Sequence, residues 1–136
     1  MPHVSVTRRV HFNAAHRLHS ARLSDDENRR TFGPCNNPNY HGHNYELDVT
    51  VTGDVDPVTG YVADLSVVKR IAEERVLARL DHKNLNLDVP EFAKVNPTAE
   101  NIVVAIWQLL DGHLPGRLTR LVLWETPRNS VTYEGT

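Results

Sequence analysis

The sequence has one cysteine, Cys35, so no intrachain disulfide can form. That excludes a disulfide-stapled scaffold and fits a reducing compartment in which the thiol stays free. No apolar run approaches the ~18 residues of a membrane-spanning helix. The opening "MPHVSVTRRVHF" lacks the basic-then-apolar order of a secretory signal, so the expectation is a cytoplasmic protein. The 15 Lys and Arg are scattered among 17 Asp and Glu, with a formal charge of −2. Without a basic cluster, neither nucleic acid nor a membrane surface is an expected partner. Repeats, low-complexity tracts and linkers are also missing, so residues 1–136 are expected to form one domain. A domain of that size buries roughly 68% of its unfolded surface and needs no covalent staple.

Histidine is what the chain has in excess, with eight in 136 residues. "HVSVTRRVHFNAAH" (3–16) alternates around Val4, Val6, Val10 and Phe12 and reads as a strand. The polar stretch 20–39 reads as a long loop with room for a helical turn at Asp25–Arg29, and loops of that length are more often functional than idle. "NYELDVTVTG" is the clearest strand, with Tyr45, Leu47, Val49 and Val51 on one face and Glu46, Asp48, Thr50 and Thr52 on the other. A helix is expected over 64–80, capped by Asp64, with Leu65, Val68, Ile71, Ala72, Val76 and Leu80 inward. A second is expected from near Thr98, burying Ile102, Val103, Ile106, Trp107 and Leu110. Strands at 117–126 and 130–135 close the chain. The order predicts an α+β fold, a four-stranded antiparallel sheet with two helices on one face. Its open edges and the polar face of the second strand suggest subunits that join sheet to sheet around an internal space.

"HGHNY" puts His41 and His43 on the same side of that strand, with Gly42 between them. Two imidazoles so placed can share a divalent ion, and His16 joins them if the first two strands pair antiparallel. Three neutral histidines suit zinc without excluding iron, cobalt or nickel. Cys35 is either a fourth ligand, closing a structural site, or a free reactive thiol beside an open one; composition leaves both standing. Asp81 beside His82 can raise that ring's basicity and help form a thiolate at Cys35. Glu125 ends an apolar strand, where a carboxylate either meets solvent or takes paired N–H donors.

The segments "FNAAHRLHS", "LSDDENRRTFGPCNNPNYHGHNYELDVTVTGDVDPVTGYV", "LDHKNLNLDVPEF", "NPTAEN" and "ETPRNSVTYEG" together resemble the 6-pyruvoyl-tetrahydropterin synthase and 6-carboxy-tetrahydropterin synthase family, collinearly from about His11. The resemblance implies the tunnelling fold, in which subunit sheets close a barrel as trimers and two trimers stack into a homohexamer with active sites at subunit interfaces. It implies Zn2+ on His16, His41 and His43. It makes Cys35, Asp81 and His82 the catalytic proton-transfer group, the last two from a neighbouring subunit. Glu125 is implied to anchor the pterin, with Thr98 and Glu100 bordering its pocket. The implied substrate is 7,8-dihydroneopterin triphosphate. Arg8, Arg9, Arg17 and Lys83 are candidates for its phosphates. The five residues between Cys35 and His41 favour a pyruvoyl product over a carboxy product made for deazapurine (queuosine) synthesis, and Tyr40 stands where the animal pattern has glycine. The readings to be separated are a pyruvoyl-forming lyase, a carboxy-forming relative, and a non-catalytic zinc module.

Overall fold

The computed structural model of the chain describes residues 2–136. Among the described residues five strands form one sheet, in the order β3 (Lys83–Asn84), β1 (His3–His16), β2 (His41–Asp54), β4 (Arg117–Thr126), β5 (Asn129–Tyr133). β1 (His3–His16) and β2 (His41–Asp54) pair antiparallel throughout, His3 opposite Asp54 and His16 opposite His41. β4 (Arg117–Thr126) lies antiparallel to β2, and β5 (Asn129–Tyr133) antiparallel to β4.

The expected four strands are therefore five. The addition, β3, is only Lys83–Asn84, parallel to β1 at Ala14 and Ala15. Two residues carry no alternation, so nothing in the sequence marks them as a strand. Most of the outer edge of β1 stays unpaired, as the sequence led one to expect for an open sheet edge.

The alternation of β2 decides which side of the sheet is core. Tyr45, Leu47, Val49 and Val51 are all 0% exposed. Each such side chain contributes roughly 1.5–3 kcal/mol by leaving water. The opposite face is not simply solvated. Hydroxyls pair across it, Ser5 with Thr52 at 2.7 Å and Thr7 with Thr50 at 2.7 Å. Further along, Arg9 makes a two-pronged contact with Asp48 at 2.7 and 3.0 Å, and Asn13 donates to Asn44 at 2.7 Å.

Both long helices cover the core face. α2 (Leu65–Ala72) is capped by Asp64, which accepts from the Ser66 N–H. It runs on through a π-turn (Glu73–Leu77) into α3 (Ala78–Leu80). The wider turn has a reason in the sequence. Val68, Ala72, Val76 and Leu80 are buried at steps of four, which drift by about 40° per step in a regular α-helix. A π-turn takes up that drift and keeps the stripe on the sheet. After α4 (Leu85–Asp88), α5 (Ala99–Leu110) starts at its N-cap Thr98 and buries Ile102, Val103, Ile106 and Leu110. Among the described residues, no helix is long and apolar enough to cross a membrane.

The long loop after β1 is more ordered than its composition suggested. α1 (Asp25–Phe32) begins in a capping box between Ser24 and Glu27. Its Asn28 is 0% exposed, accepts from the Ser20 N–H, and donates to the carbonyls of Ser20, Leu23 and Ser24. One amide thus satisfies the loop's backbone, which carries Cys35 on the following 3-10 turn, Gly33–Asn36.

Candidate metal centre and active site

Antiparallel pairing of β1 with β2 sets the end of one strand beside the start of the other. His16 therefore faces His41, and His43 follows one alternation later on the same side. The three ring centroids are 4.6, 5.1 and 4.9 Å apart, and their potential ligand atoms all lie within 4.8 Å of one another.

The outer contact of His16 fixes its tautomer. Its Nδ1 is 2.8 Å from the Pro97 carbonyl, which can only accept. The proton is then on Nδ1, and Nε2 presents a lone pair to the cluster. That Nε2, both nitrogens of His41 and Nε2 of His43 are buried without a hydrogen-bond partner. Orphaned polar atoms are costly, and one nitrogen from each of the three rings converging on one small space fits a metal ion that supplies the missing partner.

Burial, with smaller repulsion from His41 and His43, lowers the His16 pKa to about 4. His41 is lowered too, by burial and then by His43. A prediction for the metal-free protein follows. Between about pH 6.5 and 4 the unfolded chain binds a proton at His16 that the folded chain refuses. Stability is therefore full above about 6.5 and falls as pH drops toward 4, by roughly 2–4 kcal/mol from this ring. Denaturant melts of chelator-treated protein across that range check it; a flat profile would mean His16 is not sealed as described.

Cys35 is half-buried rather than exposed, and its carbonyl accepts from the Leu18 N–H at 2.8 Å. Its sulfur is not part of the three-histidine group. Burial, then the charge of Glu125, raises the thiol pKa. Asn36, the next residue, is buried and donates to the Leu18 carbonyl at 2.7 Å while lying 3.1 Å from Nδ1 of His19. His19 is thus half-buried and part of the cysteine turn's support.

A carboxylate oxygen of Glu125 lies 4.0 Å from His43 Nε2, and the side chain is 22% exposed. It stands between two cavities. One, of about 660 Å³, also touches Arg9, His43 and Trp124. The other, of about 340 Å³, touches Phe32, Thr98, Glu100 and Ser130. The structure therefore brings Glu125, Thr98 and Glu100 to one hollow, and Glu125 links it to His43 in the larger cavity and, through its charge, to Cys35.

Asp81 and His82 are placed elsewhere on this chain. Asp81 accepts from the Asn13 N–H at 2.8 Å and lies 3.0 Å from His82 Nδ1. Asn13 first, then His82 and His11, hold the Asp81 carboxyl below its usual range. His82 is 82% exposed, with a left-handed φ of 60° that a non-glycine residue adopts at a cost. Lys83 continues into β3 beside them, while Arg9 is tied to Asp48 on the polar face.

Two features escaped the sequence reading. The Pro97 carbonyl has no side-chain signal at all. Tyr45 does: it is two residues beyond His43, hence on the same face, but it reads as part of the apolar stripe. Its ring stacks on Phe12 at 4.8 Å and meets His43 at 5.7 Å. Tyr40 has a left-handed φ of 69°, a conformation that glycine adopts more readily than a tyrosine does.

Comparison with known proteins agrees with this geometry. A family model described as 6-pyruvoyl tetrahydropterin synthase matches residues 5–136. A human 6-pyruvoyl tetrahydrobiopterin synthase is 52% identical over 131 residues, covering 96% of this chain and 90% of the human one. The solved structure of a Caenorhabditis elegans 6-pyruvoyl tetrahydropterin synthase superposes with a TM-score of 0.94 at 44% identity, covering 100% of this chain and 98% of that one. A Pyrococcus furiosus dihydroneopterin monophosphate aldolase is 40% identical over 96 residues, 69% of this chain and 77% of its own.

Proposed function

This chain belongs to the 6-pyruvoyl tetrahydropterin synthase family, and we propose that it converts 7,8-dihydroneopterin triphosphate to 6-pyruvoyl-tetrahydropterin with release of triphosphate. It is an enzyme of the lyase type. The observation that carries the reading is the cluster of orphaned imidazole nitrogens on His16, His41 and His43, with Cys35 close by but outside the ligand set.

The three histidines would hold zinc, which as a Lewis acid polarises side-chain oxygens of the substrate and acidifies the adjacent C–H bonds. Glu125 offers two acceptor oxygens to the amino-pyrimidine edge of the pterin, and its place 4.0 Å from His43 sets the ring's distance from the histidine cluster. Thr98 and Glu100 border the ring. Cys35 takes a proton from the side chain as a thiolate and returns it. The reaction needs no outside oxidant: of the two electron pairs lost as the side-chain diol becomes a diketone, one reduces the dihydropterin ring by two hydrogens, and the other reduces the terminal carbon, which releases triphosphate with its C–O bonding pair and takes up a proton to become a methyl group.

A thiol raised by burial and by Glu125 needs help to ionise. We assign that help to Asp81 and His82 of a neighbouring subunit, because on their own chain they are turned outward. The unpaired edge of β1 and the polar sheet face suit sheets joining into a barrel, as trimers stacked into a homohexamer. The working unit would be a single domain, 1–136, in the cytoplasm, where the thiol stays reduced. Mixed assembly checks the shared site. Cys35→Ala and His82→Ala proteins, each nearly inactive, should regain roughly a quarter of wild-type activity when unfolded and reassembled together. No recovery would place both residues in one subunit's site.

The aldolase relative supports a second reading, cleavage of the same side chain at a carbon–carbon bond. Incubation with dihydroneopterin triphosphate and mass spectrometry of the products decides. A pyruvoyl product sustains the proposal; a carboxypterin with acetaldehyde, or a shortened hydroxymethyl pterin, replaces it with the carboxy or aldolase reading. No turnover leaves a binding module.

A further inference from the structure

The proposed reaction gives the buried hydroxyl of Tyr45 no task. Among the described residues, the buried side-chain atoms without partners are four imidazole nitrogens of the cluster, one oxygen of Glu91 and this phenol oxygen. Glu91 is already half of an ion pair with Arg79, through its other oxygen. A metal held by the three rings takes one nitrogen from each, three of the four. The phenol oxygen, in a residue 0% exposed, is not accounted for by anything on the chain.

Packing does not ask for that hydroxyl. Phe12 stacks against the Tyr45 ring at 4.8 Å and 13°, and the layer would be filled as well by a second phenylalanine. Burying a hydroxyl without a partner destabilises the fold, so keeping it implies a partner that arrives later. The ring sits edge-on to His43 at 5.7 Å and to His16 at 6.4 Å. Both Glu125 and Cys35 act on the phenol through their charge, yet neither bonds it. An acceptor is missing from the middle of this group. The oxygen is as sealed from water as the nitrogens of His41, so its partner enters with whatever completes the cluster.

We propose that the Tyr45 hydroxyl donates a hydrogen bond to a side-chain oxygen of the substrate, in the space between the three imidazoles, Cys35 and Glu125. The inference rests on the reading above, that a dihydropterin side chain occupies that space. The ring edge is taken by Glu125, which leaves the side-chain oxygens for the donor beside the histidines. Such an oxygen gains negative charge as Cys35 removes the neighbouring proton, so the bond strengthens in the transition state and acts on kcat more than on KM.

Tyr45→Phe tests this with three readings. Zinc content should equal wild type. The melting temperature of the metal-free, ligand-free protein should rise by about 3 °C, because an unpaired buried hydroxyl is gone. With dihydroneopterin triphosphate, kcat should fall about 10–100-fold with KM within about threefold. Unchanged kcat overturns the proposal. A variant that loses stability and activity together makes Tyr45 a structural prop, and a variant that loses zinc makes it a ligand; either result also overturns it. Wild-type protein that neither binds nor turns over the dihydropterin sinks the function reading, and the role of Tyr45 with it.

Discussion

Cys35→Ala is expected to lower turnover of dihydroneopterin triphosphate by on the order of 10²–10⁴-fold, while zinc content and melting temperature stay near wild type. The magnitude is what a positioned proton-transfer group contributes. The preserved metal follows from geometry: the ligand atoms within 4.8 Å of one another belong to His16, His41 and His43, and the sulfur is outside them. The preserved fold follows from the turn that carries the residue. Its hydrogen bonds are made by the Cys35 carbonyl with Leu18 and by the Asn36 amide, and alanine keeps both. Metal analysis beside steady-state kinetics checks the pair of outcomes. Zinc lost with the thiol would make the centre a closed His3Cys site, the mark of a structural zinc, and the catalytic reading would fail with it.

The same thiol shows where sequence and structure part. His16 was legible because the alternation of "HVSVTRRVHFNAAH" and "NYELDVTVTG" announces two strands, and antiparallel pairing puts their ends together. The stripe Tyr45, Leu47, Val49 and Val51 was legible for the same reason, since a period of two has one buried face. α1 runs beyond the single turn expected at Asp25–Arg29, because Asp25–Phe32 is polar up to its last residue and is held by its capping box and by Asn28 rather than by an apolar stripe. β3 was missed because two residues make no pattern. Asp81 and His82 are tied to the Asn13 backbone because β3 docks on the outer edge of β1, a tertiary choice that neither segment encodes alone. The Pro97 carbonyl was illegible in principle, since any residue supplies one.

His43→Ala is expected to weaken zinc binding by on the order of 100-fold or more, with the metal-free fold intact. Zinc held by four ligands is worth about 10–16 kcal/mol, so one imidazole carries roughly 3 kcal/mol, a little over two decades of affinity. At a free zinc level 1,000 times the wild-type Kd, the ion stabilises the wild type by about 4 kcal/mol. A 100-fold weaker variant retains about 1.4 kcal/mol, so the zinc-induced melting shift shrinks by roughly two thirds. His43 is the informative position rather than His16. Its side chain is 18% exposed, and its loss removes a ring at the edge of the hollow. Loss of His16, 0% exposed, would also open a cavity and strand the Pro97 carbonyl, mixing a packing cost into the measurement. Competition against a chelator of known affinity gives the first number, and melting with and without zinc the second. Wild-type affinity in His43→Ala would put the ion somewhere other than among these three rings. The substrate's side chain would then have no reason to lie between Cys35 and Glu125.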